Sequence, residues 1–283
     1  MKQEKVEKIW DNLTISNDFL FAKVMGEEEI CKEVIEALLN VKVGKIEYVE
    51  YQKSINISYE AKSVRLDVYT QDENRMFNLE IQIENKKDLP KRSRYYQSMI
   101  DLNAIEKGEY YKNLKESYVV FICTFDPFEK GLAKYSFHHV CDEDSTLLLE
   151  DGTHRMFFNT TANHNIEDKT MQAFLQYVNG EKSNHELICK IEERVNRIKG
   201  NEYFRREFMT LLMKLQENRE EGFEEGVEVG IERGIEQGIY AMIRVLSDFI
   251  QEEDVLLQKI ADEFSITWED AKQYYRKYLE QMN

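Results

Sequence analysis

The segment SYVVFICTF, residues 117–125, is a nearly continuous run of apolar β-branched and aromatic residues. A strand with one face in water alternates apolar and polar residues, whereas a run without alternation is typical of a strand buried on both faces. Such a strand needs other elements to cover each of its faces. Candidate helices and strands alternate over residues 10–165, so the sequence predicts an α/β domain there.

Composition narrows the class of protein further. Of 283 residues 42% are hydrophobic, enough for a large core, and only 2 Pro and 12 Gly interrupt helices. The formal net charge of −16 argues against a protein that coats nucleic acid with its whole surface, but it is compatible with a local basic groove. No run reaches the ~18 apolar residues of a membrane span. The opening MKQEKVEKIW is unlike a secretory signal, so we expect a cytoplasmic location and no membrane partner.

Two candidate strands and the polar turn QDEN between them predict a β-hairpin over residues 64–84. Side chains alternate along a strand, so Glu80 and Gln82 share one face. In a hairpin of matching register, Asp67 and Glu80 would lie close enough to hold one divalent cation. The alternative is an ordinary half-exposed sheet whose polar residues face water, and alternation alone does not decide between the two.

The residues after the hairpin reverse the local charge. NKKDLPKRSRYY, at 85–96, carries five basic side chains against one acid, and a helix is predicted from Pro90 to near Gly108. Hard cations such as Mg²⁺ bind through one or two carboxylates, activate bound water and stabilise charge on a phosphate under attack. Consecutive segments could therefore supply a metal site and, through the bases of residues 86–94, a hold on a nucleic-acid backbone.

The chain beyond residue 166 is predicted to be helical and contains one repeat. In EEGFEEGVEVGIERGIEQGI, residues 220–239, glycine recurs every four residues with an apolar residue directly after each. Each glycine inside a helix costs roughly 1 kcal/mol relative to alanine. Two interpretations stay open: close packing against another helix, such as that of a second copy, or a partly ordered acidic linker. The predicted domains are a core over 1–165, a helical extension over 166–219, a glycine-striped acidic helix or linker over 220–240 and a small helical module over 241–283.

Several segments taken together resemble a known family. They are NDFLFAKVMG at 17–26, RLDVYTQDENRMFNLEIQIE at 65–84, LPKRSRYYQSMID at 89–101 and YKNLKESYVVFICTFDPF at 111–128, followed by the glycine repeat. The order Asp67, then Glu80-x-Gln82, then a basic-aromatic helix is similar to the PD-(D/E)XK nuclease superfamily. More closely, it resembles the recombination-promoting nuclease / putative transposase family of bacteria. The resemblance covers most of residues 15–240.

This resemblance implies a restriction-endonuclease-like mixed sheet flanked by helices, and hydrolysis of DNA phosphodiester bonds with Mg²⁺ or, as a substitute, Mn²⁺. It assigns Asp67, Glu80 and the Ile81 carbonyl to the metal, and Asp67, Glu80 and Gln82 to catalysis. Gln82 stands where the superfamily pattern has Lys; it can orient water but adds no net charge, so we expect a slow enzyme. Asp18 could supply a further acid, or it could simply cap the helix that begins there. The predicted DNA-binding residues are Lys86, Lys87, Lys91, Arg92, Arg94, Tyr96 and Gln97.

Two functions from different classes follow. One is a Mg²⁺-dependent DNA endonuclease associated with recombination or mobile elements. The other is a non-catalytic assembly or regulatory protein that keeps the fold and acts through its helical tail. In either case we expect homo-oligomers formed through the C-terminal helical region. The presence of Asp67, Glu80 and Gln82 together favours the enzyme.

Overall fold

The computed structural model describes residues 3–46, 48–55, 64–164 and 166–282. The chain divides into two compact units, residues 1–209 and 210–283. The helices of the first unit are α1 (Gln3–Asp11), α2 (Asp18–Met25), α3 (Glu28–Leu39), α4 (Leu89–Ala104), α5 (Lys169–Val178) and α6 (Glu186–Lys199). Short 3₁₀ turns lie at Tyr111–Asn113 and Thr160–Ala162.

In the described residues six strands form one mixed sheet. They are β1 (Tyr48–Ile55), β2 (Val64–Gln71), β3 (Arg75–Gln82), β4 (Glu116–Cys123), β5 (Lys134–Phe137) and β6 (Thr153–Asn159). Their spatial order is β1-β2-β3-β4-β6-β5. Strands β3, β4 and β6 are mutually parallel, and β1, β2 and β5 pair antiparallel with their neighbours. This sheet, flanked by helices and followed by a helical region, confirms the predicted fold class.

Strand β4 lies inside the sheet, and residues 117–123 are all buried, as its apolar run predicts. One of its faces is covered by α4. There the Tyr96 ring stacks on Phe121 at 6.0 Å between centroids, and Phe121 stacks on Phe157 at 5.4 Å. Glu80 pairs with Phe121 in the parallel register, so Glu80 also lies beneath α4.

The opposite face of the sheet is covered by α2 and α3, against which α5 and α6 pack. Lys134 of the edge strand β5 contacts both the helices and the sheet on this face. Its ammonium donates to the Leu38 carbonyl of α3 at 3.4 Å and lies over the Phe158 ring of β6. The predicted helical extension therefore contributes α5 and α6 to the first compact unit. The domain boundaries at residues 165, 219 and 240 stay a prediction.

The turn between β2 and β3 is organised by one buried carboxylate. Asp72 is 2% exposed and accepts the backbone N–H groups of Gly44, Asn74 and Arg75 at 2.9–3.1 Å. The Arg75 guanidinium adds a charged hydrogen bond of 2.7 Å. Burial acts to raise the pKa of Asp72, but Arg75 and these N–H donors outweigh it and lower that pKa below its ordinary value. The predicted polar turn is thus a specific structure rather than a loose loop.

A 45-residue helix, α7 (Glu202–Leu246), includes the whole glycine repeat, and α8 (Glu253–Phe264) and α9 (Trp268–Met282) follow it. In the second unit the C-terminal end of α7 packs with α8 and α9 around Ile239 and Ile243, both fully buried. A Cβ at Gly238 would lie 3.1 Å from the Phe264 ring, so the missing side chain permits this close approach.

The first four glycines of the repeat differ from Gly238 in the space around them. Among the described residues nothing lies within 4 Å of a Cβ built at Gly222, Gly226, Gly230 or Gly234. The apolar residues that follow them are 41–73% exposed, namely Phe223, Val227, Ile231 and Ile235.

Across the described ranges, no helix combines the length and the apolar character that crossing a bilayer requires.

Candidate active site

The β2–β3 hairpin opens where the two predicted carboxylates lie. Backbone pairing reaches Val68 opposite Leu79. Beyond that pair, the Asp67 N–H donates to Glu80 Oε1 at 3.1 Å, and the Ile81 N–H donates to Asp67 Oδ2 at 3.1 Å. Each carboxylate takes the place that a backbone carbonyl has in a regular ladder. The structure therefore brings Asp67 and Glu80 together across the opening strands.

Glu80 is 1% exposed, which is unusual for a carboxylate. Burial, and after it the charge of Asp67, raises the pKa of Glu80 well above its ordinary value. The Asp67 N–H and the Arg92 cation act in the opposite direction without cancelling this effect. The hairpin opening thus concentrates negative charge that is poorly solvated, and a bound cation would relieve it.

The Ile81 carbonyl completes the set of candidate metal ligands. The N–H and C=O of one strand residue point to the same side, and the Ile81 N–H points to Asp67, so the carbonyl also faces the opening. Two carboxylates and a carbonyl are oxygen donors of the kind that Mg²⁺ prefers, and Mg²⁺ usually keeps several waters. Within the described ranges, no group of three or more His, Cys, Asp or Glu residues comes together as a metal cage. The residues present at the opening fit Mg²⁺ held by few protein ligands.

Arg92, in the first turns of α4, joins the helix to the hairpin. Its Nη1 donates to Gln82 Oε1 at 2.8 Å, and its Nε and Nη2 donate to the Tyr96 hydroxyl at 3.2 and 2.9 Å. Its Nη2 lies 3.6 Å from Glu80 Oε2. Burial disfavours the Arg92 cation, but Tyr96 and Glu80 outweigh burial and raise its pKa, so Arg92 stays charged. The prediction placed Arg92 among DNA contacts, and its four-residue spacing from Tyr96 was the available signal for a shared helix face.

Tyr96 and Gln97 were also predicted to bind DNA, yet their side chains lie in the interior. Tyr96 is 8% exposed, and burial together with the nearby Glu80 raises the pKa of its phenol to about 12. Gln97 is 3% exposed and donates to Ser117 Oγ at 2.6 Å and to Asp101 Oδ1 at 3.0 Å. Both side chains therefore lie on the buried face of α4, and neither is on the outer surface.

The remaining predicted residues lie on the surface. Asp18, at the first position of α2, accepts the N–H of Phe19 at 2.8 Å, and that hydrogen bond is within its own helix. Glu84, which has no predicted role in the site, follows the end of β3, is exposed, and lies 3.9 Å from Lys86. The predicted DNA-binding residues with exposed side chains are Lys86, Lys87, Lys91 and Arg94.

Comparison with known protein families gives a match over most of the chain. A family model described as PD-(D/E)XK nuclease family transposase matches residues 15–219, more than half of the chain, including the hairpin and α4. The match ends before the glycine repeat, although the resemblance noted in the sequence extended to residue 240. No curated protein and no solved structure matches the chain closely enough to compare. Family membership supports a nuclease-like or mobile-element role, with DNA as the substrate. With the mixed sheet and the acids at the hairpin opening, this match shows that the chain belongs to the PD-(D/E)XK nuclease family transposases.

Proposed function

We propose that this chain is a Mg²⁺-dependent DNA endonuclease that acts in recombination or in the movement of mobile elements. The observation that carries the proposal is the pairing of Asp67 with the buried Glu80 at the hairpin opening. Glu80 is costly to bury as an anion, and a site that concentrates two carboxylates has a clear chemical use in holding a divalent cation. The association with recombination or mobile elements rests on the family description alone.

Hydrolysis of a phosphodiester forms a bond between water oxygen and phosphorus and breaks the bond from phosphorus to the leaving sugar oxygen. The attacking water gives up a proton and the leaving oxygen gains one. Asp67, Glu80 and the Ile81 carbonyl would hold Mg²⁺ or Mn²⁺. When bound, this ion would lower the pKa of water and stabilise the phosphate charge.

Gln82 is placed to orient the reacting groups. Its Oε1 accepts from Arg92, and its Nε2 donates one N–H to the Ile81 carbonyl at 2.7 Å. An amide nitrogen carries two hydrogens, so the second can donate to a water or to a phosphate oxygen. Two neighbours therefore set the orientation of the amide, and the second N–H is the donor that we propose for the substrate.

Substrate binding is proposed to use the exposed bases next to the site. Lys86 and Lys87 follow the hairpin, and Lys91 and Arg94 lie on the first turns of α4. Contacts of this kind position a nucleic-acid backbone without reading its sequence. Because the chain carries a net charge of −16, we expect DNA contacts to be confined to this basic segment.

The first test is nicking of supercoiled plasmid with Mg²⁺ by wild type, Asp67→Ala and the matched control Glu84→Ala. We expect Asp67→Ala to lower the nicking rate at least ~100-fold, because it removes one of two metal carboxylates. Glu84→Ala removes an exposed carboxylate two positions beyond Gln82 and should cleave like wild type. Chelation by EDTA should stop cleavage, and Mg²⁺ should raise the melting temperature of wild type but not of Asp67→Ala.

Equal nicking by wild type and Asp67→Ala would refute the assignment of the site. No nicking by any form with Mg²⁺ or Mn²⁺, and no thermal stabilisation by either ion, would instead favour the non-catalytic assembly protein.

We also propose that the chain forms homo-oligomers through the glycine repeat of α7. Inside the second unit the last glycine of the repeat is used for close packing, because the Phe264 ring approaches Gly238. The same pattern continues N-terminally with four exposed apolar residues beside four glycines that have open space. A second copy of this helix would cover an apolar stripe that water otherwise contacts, and the glycines would permit close helix approach.

This proposal predicts that Ile231→Glu lowers the molar mass measured by light scattering to that of a monomer. Ile231 is 58% exposed on the stripe, so a charge there would be buried in the proposed interface. Val229→Glu is the control, since it adds the same charge to another face of the same helix, where Val229 is 44% exposed. A wild-type protein that is monomeric over the whole concentration series would contradict the proposal.

A further inference from the structure

We propose that Arg92 supplies from α4 the positive charge that the side chain at position 82 lacks, and that it acts through Gln82 as a positioning residue. The inference rests on the proposed nuclease function and concerns the same site. A lysine at position 82 would place an ammonium beside the attacking water and the phosphate. Here Gln82 carries no charge, but a guanidinium nitrogen lies 2.8 Å from its amide oxygen.

The contacts of Arg92 show what holds the guanidinium in place. Its hydrogen bonds are to the neutral groups of Gln82 and Tyr96. Its guanidinium also lies over the rings of Tyr96 and Phe121, at 5.2 and 5.6 Å from their centroids. By contrast, the 3.6 Å separation from Glu80 Oε2 is longer than a charged hydrogen bond. Arg92 is thus fixed by neutral partners and by core rings, and it needs no change of position when Glu80 binds a cation.

The Gln82 amide can transmit this charge. A cationic donor on the amide oxygen draws electron density from the amide and makes its N–H groups stronger donors. The Gln82 nitrogen faces the Ile81 carbonyl at the hairpin opening, which is where the reacting groups would lie. Arg92 therefore increases the positive potential that Gln82 presents, while its side chain, 29% exposed, stays bound to Gln82 and Tyr96.

The geometry also requires an arginine rather than any base. Three nitrogens of the planar guanidinium are used at once, with Nη1 on Gln82 and with Nε and Nη2 on Tyr96. A lysine ammonium has no such fork and could not satisfy both partners in the same plane. Lys107, which follows the end of α4, is exposed and serves as the control for loss of one positive charge.

The experiment compares wild type with Arg92→Met, Lys107→Met and the double variant Gln82→Lys/Arg92→Met, using the nicking rate and the Mg²⁺-induced rise in melting temperature. We expect Arg92→Met to cleave at least ~100-fold more slowly while Mg²⁺ still stabilises it, because the metal ligands are intact. The double variant should recover at least ~10-fold of that loss, since the ammonium at position 82 restores the charge. Lys107→Met should cleave at the wild-type rate, because Lys107 is exposed beyond the end of α4 and outside the proposed DNA-binding segment.

Arg92→Met that cleaves like wild type would overturn the inference and leave the nuclease assignment intact. A double variant as slow as Arg92→Met, although folded, would also overturn it, because a structural role of Arg92 is not restored by a lysine at position 82. If Arg92→Met does not fold, Arg92→Lys tests the same inference: cleavage below the wild-type rate with Mg²⁺ stabilisation retained supports it, because an ammonium lacks the fork that holds Gln82, and wild-type cleavage refutes it. Absence of cleavage by wild type would remove the nuclease function and this inference together.

Discussion

Replacing Glu80 with Gln is expected to abolish cleavage and, at the same time, to stabilise the protein at pH 8. Cleavage should fall at least ~100-fold because one of the two carboxylates proposed to hold the metal is lost. Stability should rise because burial and the Asp67 charge, which disfavour ionised Glu80, outweigh its attraction to Arg92. Removing a buried, poorly compensated charge is worth on the order of 1–3 kcal/mol, which for a chain of this size raises the melting temperature by several degrees.

The gain in unfolding free energy from Glu80→Gln should increase as the pH rises. The pKa of Glu80 is raised in the folded protein, so its contribution to stability is fully present below the pKa of the unfolded chain. That contribution is lost as pH rises toward the higher folded-state pKa. The difference in unfolding free energy between Glu80→Gln and wild type should therefore be small near pH 4 and should grow toward pH 8.

Urea unfolding at several pH values, without divalent ions, measures this difference. Glu84→Gln is the matched control, because it neutralises an exposed carboxylate on the same segment and should leave both stability and cleavage unchanged. A Glu80→Gln protein that is less stable than wild type at pH 8 would show that the contact with Arg92 dominates, contrary to our expectation.

Replacing Asp72 with Ala is expected to lower the free energy of unfolding by about 2–4 kcal/mol. The substitution removes the acceptor of three backbone N–H groups and of the Arg75 guanidinium, and it leaves these donors at a buried turn. Since the turn joins β2 to β3, its loss should also disturb the register that places Asp67 beside Glu80.

Chemical denaturation of Asp72→Ala beside Glu73→Ala tests this expectation, because Glu73 is an exposed acid in the same turn. The pKa of Asp72 is lowered in the folded protein, so its stabilising effect is present above the pKa of the unfolded chain and disappears as pH falls through the folded-state value. The difference from wild type should therefore shrink in acid. Equal destabilisation by both substitutions would assign the effect to the turn in general and not to the Asp72 carboxylate.

The sequence predicts the acidic half of the site well because hairpin geometry is local. Two strands and a short turn determine which side chains share a face, and Asp67 and Glu80 lie close together as that alternation requires. The basic half depends on how α4 packs over β4, which no local pattern specifies. Arg92 stays a predicted DNA contact, and its hydrogen bonds to Gln82 and Tyr96 were not predicted from the sequence.

A second difference between prediction and structure is the burial of Gln97, which was predicted to bind DNA. Ser93 and Gln97 lie on the buried face of α4, although residues of these types are usually exposed. Gln97 is accommodated because Ser117 and Asp101 accept from it, and such partners are known only once the tertiary structure is known. The prediction of a slow enzyme depended on Gln82 taken alone. It stays a prediction, and the proposed role of Arg92 would remove its reason by supplying the missing charge.

The fold class followed from the sequence because the buried run of β4 demands helices on both faces. The strand order could not be predicted from the sequence, because the placement of β6 between β4 and β5 depends on contacts between distant segments. The glycine repeat allowed both a helix and a linker, because the low helix propensity of glycine opposes the regular apolar spacing. In the structure the repeat is part of the continuous helix α7.

The stacking of Tyr96 on Phe121 bears on how this protein would change if cleavage were no longer selected. Arg92 and Tyr96 contact the Phe121 ring of the core, so folding alone would tend to preserve them in an inactive descendant. Glu80 has the opposite relation to folding, because its ionised form is disfavoured by its surroundings. Random substitution would then replace Glu80 early, since a neutral residue there is expected to raise stability. The acid that folding disfavours is therefore a better indicator of retained activity than the aromatic and basic residues around it.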